Sequence, residues 1–180
     1  MPRLLNKRHP IAFVLVLSLV FFGKQGMTLN HTDAAKISQL KTAFVYNFVR
    51  FSKWPEGTFD NNTFVIGHLG SQEKSFIKSL EKKTFKKNTV KVIAINDAQS
   101  IETCHLIYIS SDGEYNNDFL KNIKTPTLLV GDKKGFIKKG GMIEFVNINN
   151  KIRFKIDQKR AESLGLKISA QLLKLAVKDK

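Results

Sequence analysis

The chain has 180 residues, 42% of them hydrophobic, and 30 Lys and Arg against 15 Asp and Glu give it a formal net charge of +15. That length suits one globular domain and is short for two. Cys104 is the only cysteine, which excludes an intramolecular disulfide, and its place at the entry to an apolar run reads as a small buried hydrophobe.

The amino terminus reads as an export signal, because Arg3, Lys7 and Arg8 precede an uncharged apolar run over 11–22, IAFVLVLSLVFF. As a helix that run reaches about 18 Å, against roughly 30 Å of membrane hydrocarbon. A cleaved signal over 1–26 is therefore the expectation, with Gly26-x-Thr28 the best small-x-small site and a membrane tether the lesser alternative. The domain is expected over 27–180. Removing 1–26 takes away Arg3, Lys7, Arg8 and Lys24 and no acid, which lowers the charge to +11 from 26 bases and 15 acids.

Only three of those bases are arginines, Arg50, Arg153 and Arg160, and the lysines are dispersed in short pairs. Nucleic-acid and phosphate sites favour the bidentate arginine fork, so no nucleic-acid partner is expected. The charge reads as solvated surface. A general attraction to anionic polymers or membranes is a third-ranked reading.

From an N-cap at Thr32 or Asp33, a helix is predicted to about Phe51, with Ile37, Leu40, Phe44, Phe48 and Phe51 on one apolar face. Pro55 disfavours helical backbone at Trp54 and ends it there. Tyr46 and Arg50, one turn apart off that face, form with Trp54 the candidate partner-binding trio. A strand over 63–69 (TFVIGHL) and a helix over 72–82 follow, with Ser71 as cap, and then strands over 89–95 and 105–109. A helix over 114–122 and a fourth strand over 125–130 complete the alternation. The fold class predicted is α/β: a mainly parallel sheet with helical crossovers and helices on both faces.

The last third changes pattern. Segments 142–148 and 151–156 both alternate about Asn149-Asn150, which predicts a C-terminal antiparallel hairpin. Gly140-Gly141 before it needs a tight turn or close backbone approach. Helices are predicted over 158–163, closed by Gly165, and over 169–178, with Leu172, Leu173, Leu175 and Ala176 facing inward.

Chemistry-bearing patterns are sparse. His9, His31, His68 and His105 lack the close spacing of a metal site; His68 and His105 fall on strands that could meet, but read as core residues. Gly131 to Gly135 lacks the order of a phosphate loop, and Ser110 and Ser111 lack a nucleophile elbow. No cofactor, metal or catalytic constellation is expected. Asp97 and Asp132 fall at the carboxyl ends of the second and fourth strands, the edge where open α/β sheets bind ligands. They are the ligand-pocket candidates, with Asp112 beside them.

Two long motifs stand out. KTAFVYNFVRFSKWP, from Lys41, is similar to (K/R)-A-A-F-(L/I)-Y-N-F-x-(K/R)-(F/Y)-x-x-W-P, matched by Ala43, Phe44, Tyr46, Asn47, Phe48, Trp54 and Pro55. The segment from Gly140 to Ala176 resembles a G-G-M-I-x-F hairpin followed by an L-x-(I/V)-S-x-x-L-L-x-L-A helix, matched by Gly140 to Ile143, Phe145, Phe154, Ile156, Ser169, Leu172, Leu173 and Leu175. Together they resemble the YfiR-like family from about Ile37 to the carboxyl terminus. The resemblance implies a periplasmic α/β domain without catalytic activity, a homodimer in the best-known member. That member binds the periplasmic sensor region of an inner-membrane diguanylate cyclase and holds it inactive, until an outer-membrane lipoprotein sequesters it and cyclic di-GMP and biofilm formation rise. Other members accompany other sensor proteins. The best-known member also has two disulfides, for which this chain lacks the cysteines. The expected function is an exported non-enzymatic regulator of that kind; the alternative is a periplasmic small-molecule sensor or carrier.

Overall fold

The computed structural model describes residues 31–178 other than 60–61, 72–73 and 117. The signal expected over 1–26 lies outside the described residues. The chain forms α1 (His31–Arg50), β1 (Ser52–Lys53), β2 (Thr63–Leu69), α2 (Lys74–Glu81), β3 (Thr84–Phe85) and β4 (Asn88–Ala94). It continues through α3 (Ala98–Glu102), β5 (Leu106–Ile109), α4 (Phe119–Asn122), β6 (Leu128–Gly131) and a 3-10 turn, Ile137–Lys139. Last come β7 (Ile143–Ile148), β8 (Lys151–Ile156), α5 (Gln158–Ser163), β9 (Lys167–Ile168) and α6 (Ala170–Leu175).

A seven-stranded sheet runs in the order β3-β4-β2-β5-β6-β7-β8. The inner pairs β4/β2, β2/β5, β5/β6 and β6/β7 are parallel, and β3/β4 and β7/β8 close the two ends antiparallel. This is the predicted α/β class. β5 and β6 are buried on both faces, which accounts for their unbroken apolar runs. On one face Tyr108 meets Phe76 of α2, and Phe145 and Phe154 of the hairpin meet Phe44 and Phe48 of α1. On the other face a Cβ at Gly67 would lie 2.6 Å from Cys104 Sγ, and one at Gly131 would lie 2.4 Å from the Phe136 ring. The segments after α3 and β6 therefore lie directly on bare backbone.

The hairpin turns through Asn149 and Asn150, both at positive φ (51° and 58°), as a two-residue type I′ connection requires. Both expectations for Gly140-Gly141 hold. Gly140 takes φ 102° to close the 3-10 turn, and a Cβ at Gly141 would stand 2.1 Å from Phe136.

Some elements depart from expectation. Among the described residues of the predicted 114–122 helix only 119–122 are helical, while the helix α3 and the short strands β1, β3 and β9 carry no periodic signal. β1 pairs antiparallel with β9 (Ser52 with Ile168), and Ser169 N donates to Phe51 O at 2.9 Å. The carboxyl-terminal segment thus clamps the chain just before the Trp54-Pro55 corner. On α1 the buried line is Ser38, Thr42, Val45, Phe48 and Val49, while Ile37 and Leu40 are 40% and 44% exposed. Thr42 Oγ1 donates to the Ser38 backbone carbonyl at 2.9 Å, so the Thr42 hydroxyl enters the interior with its hydrogen bond made, and Ser38 and Thr42 take the inward positions in place of Ile37 and Leu40. Leu175, expected inside, is 62% exposed, because α6 stops there after six residues, short of two turns.

Candidate functional site

The trio of Tyr46, Arg50 and Trp54 divides. Trp54 is only 8% exposed. Its indole packs against Phe59, Phe64 and Phe85 at centroid separations of 5.7, 5.4 and 5.7 Å. The reading of Trp54 as a contact residue is therefore corrected. The corner made by Pro55 turns its side chain under the sheet edge, where Phe59 of the following loop, Phe64 of β2 and Phe85 of β3 enclose it. Its Nε1 has no partner among the described residues.

Tyr46 and Arg50 remain together on the outer side of α1. The Arg50 guanidinium stands 5.8 Å from the Tyr46 ring centroid and Lys83 Nζ stands 5.4 Å from it. Both distances are within cation–π range. Along α1, Gln39, Tyr46, Asn47 and Arg50 form one wall of a slot of about 390 Å³, and Lys82 and Lys83, just beyond the end of α2, form part of the other. The lysine pair was visible in the sequence, but nothing there placed it beside α1.

Asp132 lies at the end of β6 and does line a groove. Its carboxylate accepts from Lys41 Nζ of α1 and, at 3.3 Å, from the Tyr108 hydroxyl. Burial, with the Asp132 carboxylate adding to it, pushes the Tyr108 phenol well above its ordinary range, so it stays a neutral donor. Ile37, Phe145, Val146, Asn150 and Ile152 complete a groove of about 280 Å³ over this ion pair. Lys41 opens the first family-like motif, yet its partner was not legible because Asp132 lies 91 residues away.

The other edge carboxylates are occupied locally. Asp97 caps α3, accepting from Ser100 N at 2.7 Å and Ser100 Oγ at 2.6 Å, and those bonds hold its carboxyl below the ordinary value. Asp112 accepts from the Ser110 hydroxyl and from Ser71 N, which brings its carboxyl down to about 2. The strand order reverses direction at β2, and the crevice expected there is filled by this turn: a Cβ at Gly70 would stand 2.2 Å from Ser110 Oγ. Among the described residues neither carboxylate lines the groove of Asp132.

His68 and His105 do not meet. His105 Nδ1 accepts from Val65 N at 2.9 Å and Nε2 lies 3.2 Å from Thr58 O, which fixes the neutral tautomer carrying its proton on Nε2. His68 pairs in register with Tyr108, further along β5. Among the described residues no group of three His, Cys, Asp or Glu side chains converges as a metal site would require. No described helix is long and apolar enough to cross a membrane.

A search of curated proteins finds no match. The model of the YfiR/HmsC-like family matches residues 38–177, a span that begins on α1 and ends just past α6. It includes the aromatic corner, the Tyr46–Arg50 slot, the Lys41–Asp132 groove and the hairpin. The family comprises periplasmic regulators in cyclic di-GMP signalling, and on this match the chain belongs to the YfiR/HmsC-like family.

Proposed function

We propose that the chain is an exported, non-enzymatic regulator that binds the periplasmic sensor region of an inner-membrane signalling protein. By this reading it inhibits a diguanylate cyclase and so lowers cyclic di-GMP and biofilm formation. It acts as a homodimer, and an outer-membrane lipoprotein relieves the inhibition by sequestering it. The family match over 38–177 is the observation that carries the proposal. The outward Tyr46–Arg50 face, a half-buried ring beside an exposed guanidinium, supports it, since aromatic and arginine side chains are enriched where partners bind. Deleting the gene should raise cellular cyclic di-GMP, and crosslinking from position 46 should capture an inner-membrane cyclase or kinase. An unchanged nucleotide level together with no captured membrane protein refutes the proposal.

A second reading, a periplasmic small-molecule sensor or carrier, is favoured by the groove over Lys41 and Asp132. It predicts that some small ligand raises the melting temperature of the wild type and not of Asp132→Asn. A screen in which none does so removes it.

A further inference from the structure

The slot between α1 and the end of α2 has an unbalanced charge. Arg50, Lys82 and Lys83 line it, no carboxylate of a described residue does, and none of the three forms an ion pair with a described residue. Lys41, on the same helix, shows the contrast, since it is neutralised by Asp132. Arg50 is the last residue of α1, and Lys82 and Lys83 follow the last residue of α2. Two helix carboxyl ends supply about half a negative charge each, which leaves roughly two of the three positive charges uncompensated.

Two of the three cations also rest on an aromatic ring. Arg50 and Lys83 are exposed but both sit over the half-buried Tyr46 ring, which reduces the side-chain freedom to be lost on binding. Asn47 and Gln39 add uncharged donors and acceptors on the same wall. The polarity is the reverse of a phosphate site, which places helix amino ends and backbone N–H groups toward the anion. Here two carboxyl ends border the recess and the cations are mostly lysines.

We infer that this slot docks an acidic segment of a protein partner, whose carboxylates meet Arg50, Lys82 and Lys83 while its apolar stems lie on Tyr46. That the partner is a protein rests on the regulator proposed above; the charge of the segment rests on the slot alone.

The test uses the full mature chain and a fluorescein-labelled octa-glutamate peptide, read by anisotropy. Lys82→Gln/Lys83→Gln removes two slot charges. Lys138→Gln/Lys174→Gln removes two exposed charges elsewhere. Peptide binding should weaken about tenfold in the first variant and less than about twofold in the second. Equal weakening in both variants, no binding by the wild type at low salt, or slot-dependent binding of phosphatidylglycerol vesicles with none of the peptide would each overturn the inference. A gene deletion that shifts cyclic di-GMP beside a wild type that ignores the peptide removes the slot and keeps the regulator. Slot-dependent peptide binding beside an unaltered cyclic di-GMP level keeps the slot and removes the regulator.

Discussion

Trp54→Ala separates a core role from a contact role at the family-motif corner. The indole touches three phenylalanine rings at 5.4–5.7 Å, with interplanar angles of 57°, 89° and 65°. Edge and tilted pairs of this kind contribute about 0.5–1.5 kcal/mol each beyond burial, and truncating a buried Trp to Ala costs about 3–5 kcal/mol in all. A domain of this size has about 5–15 kcal/mol to lose. With a urea slope near 2 kcal/mol per molar, the unfolding midpoint should fall by about 1.5–2.5 M. Trp54→Phe supplies the internal comparison: it keeps a ring against Phe59, Phe64 and Phe85 and deletes an Nε1 donor that has no described partner, so it should lose less than half as much. Urea unfolding followed by circular dichroism reads both variants. A Trp54→Ala midpoint within the equivalent of about 0.5 kcal/mol of wild type would show that Trp54 is not a core residue and return it to the contact surface.

Gly141→Ala should destabilise by about 1–3 kcal/mol or more, because its Cβ would stand 2.1 Å from the Phe136 ring; Gly135→Ala meets no such neighbour and reports only the strain of φ 79°. A melt in which the two variants cost the same would contradict the close approach. Lys41→Met leaves the Asp132 carboxylate with Tyr108 alone and should cost about 1–3 kcal/mol, recovered in part when Asp132→Asn is added, as a double-mutant cycle would measure. Burial raises the Cys104 thiol from its ordinary 9.0 to about 11, so the native protein should resist alkylation at pH 8 and react at once in denaturant. Because the folded state holds that proton more tightly, the associated stability is fully present below pH 9 and is lost between about 9 and 11. Rapid native-state alkylation would refute the buried assignment.

The strongly patterned elements were legible in the sequence. The strand at Thr63–Leu69, the hairpin strand at Lys151–Ile156 and the helix at Gln158–Ser163 have local signals, namely β-branched runs, Asn-Asn at positive φ, and a capping Asp157 that accepts from Arg160 N at 2.9 Å. β1 and β9 were not legible, because two residues carry no period and their pairing links Ser52 to Ile168. The apolar face of α1 was misjudged for a physical reason. Hydrophobicity ranks Ile37 and Leu40 above Ser38 and Thr42, but a hydrogen bond to the Ser38 backbone carbonyl lowers the cost of burying the Thr42 hydroxyl. Of the site, Tyr46 and Arg50 followed from helical spacing. Lys82, Lys83 and the pairing of Lys41 with Asp132 needed the tertiary arrangement, and Trp54 could not be placed inside without knowing which phenylalanines surround the corner.

The most direct measurement is cellular cyclic di-GMP in a deletion strain complemented with wild type or with Tyr46→Ser/Arg50→Ser, both exported to equal levels. The deletion should raise the nucleotide, the wild type should restore it, and the double variant, melting within a few degrees of wild type, should fail to restore it. A deletion strain with wild-type levels would contradict the regulatory function itself, and full rescue by the double variant would contradict the Tyr46–Arg50 face as its contact surface.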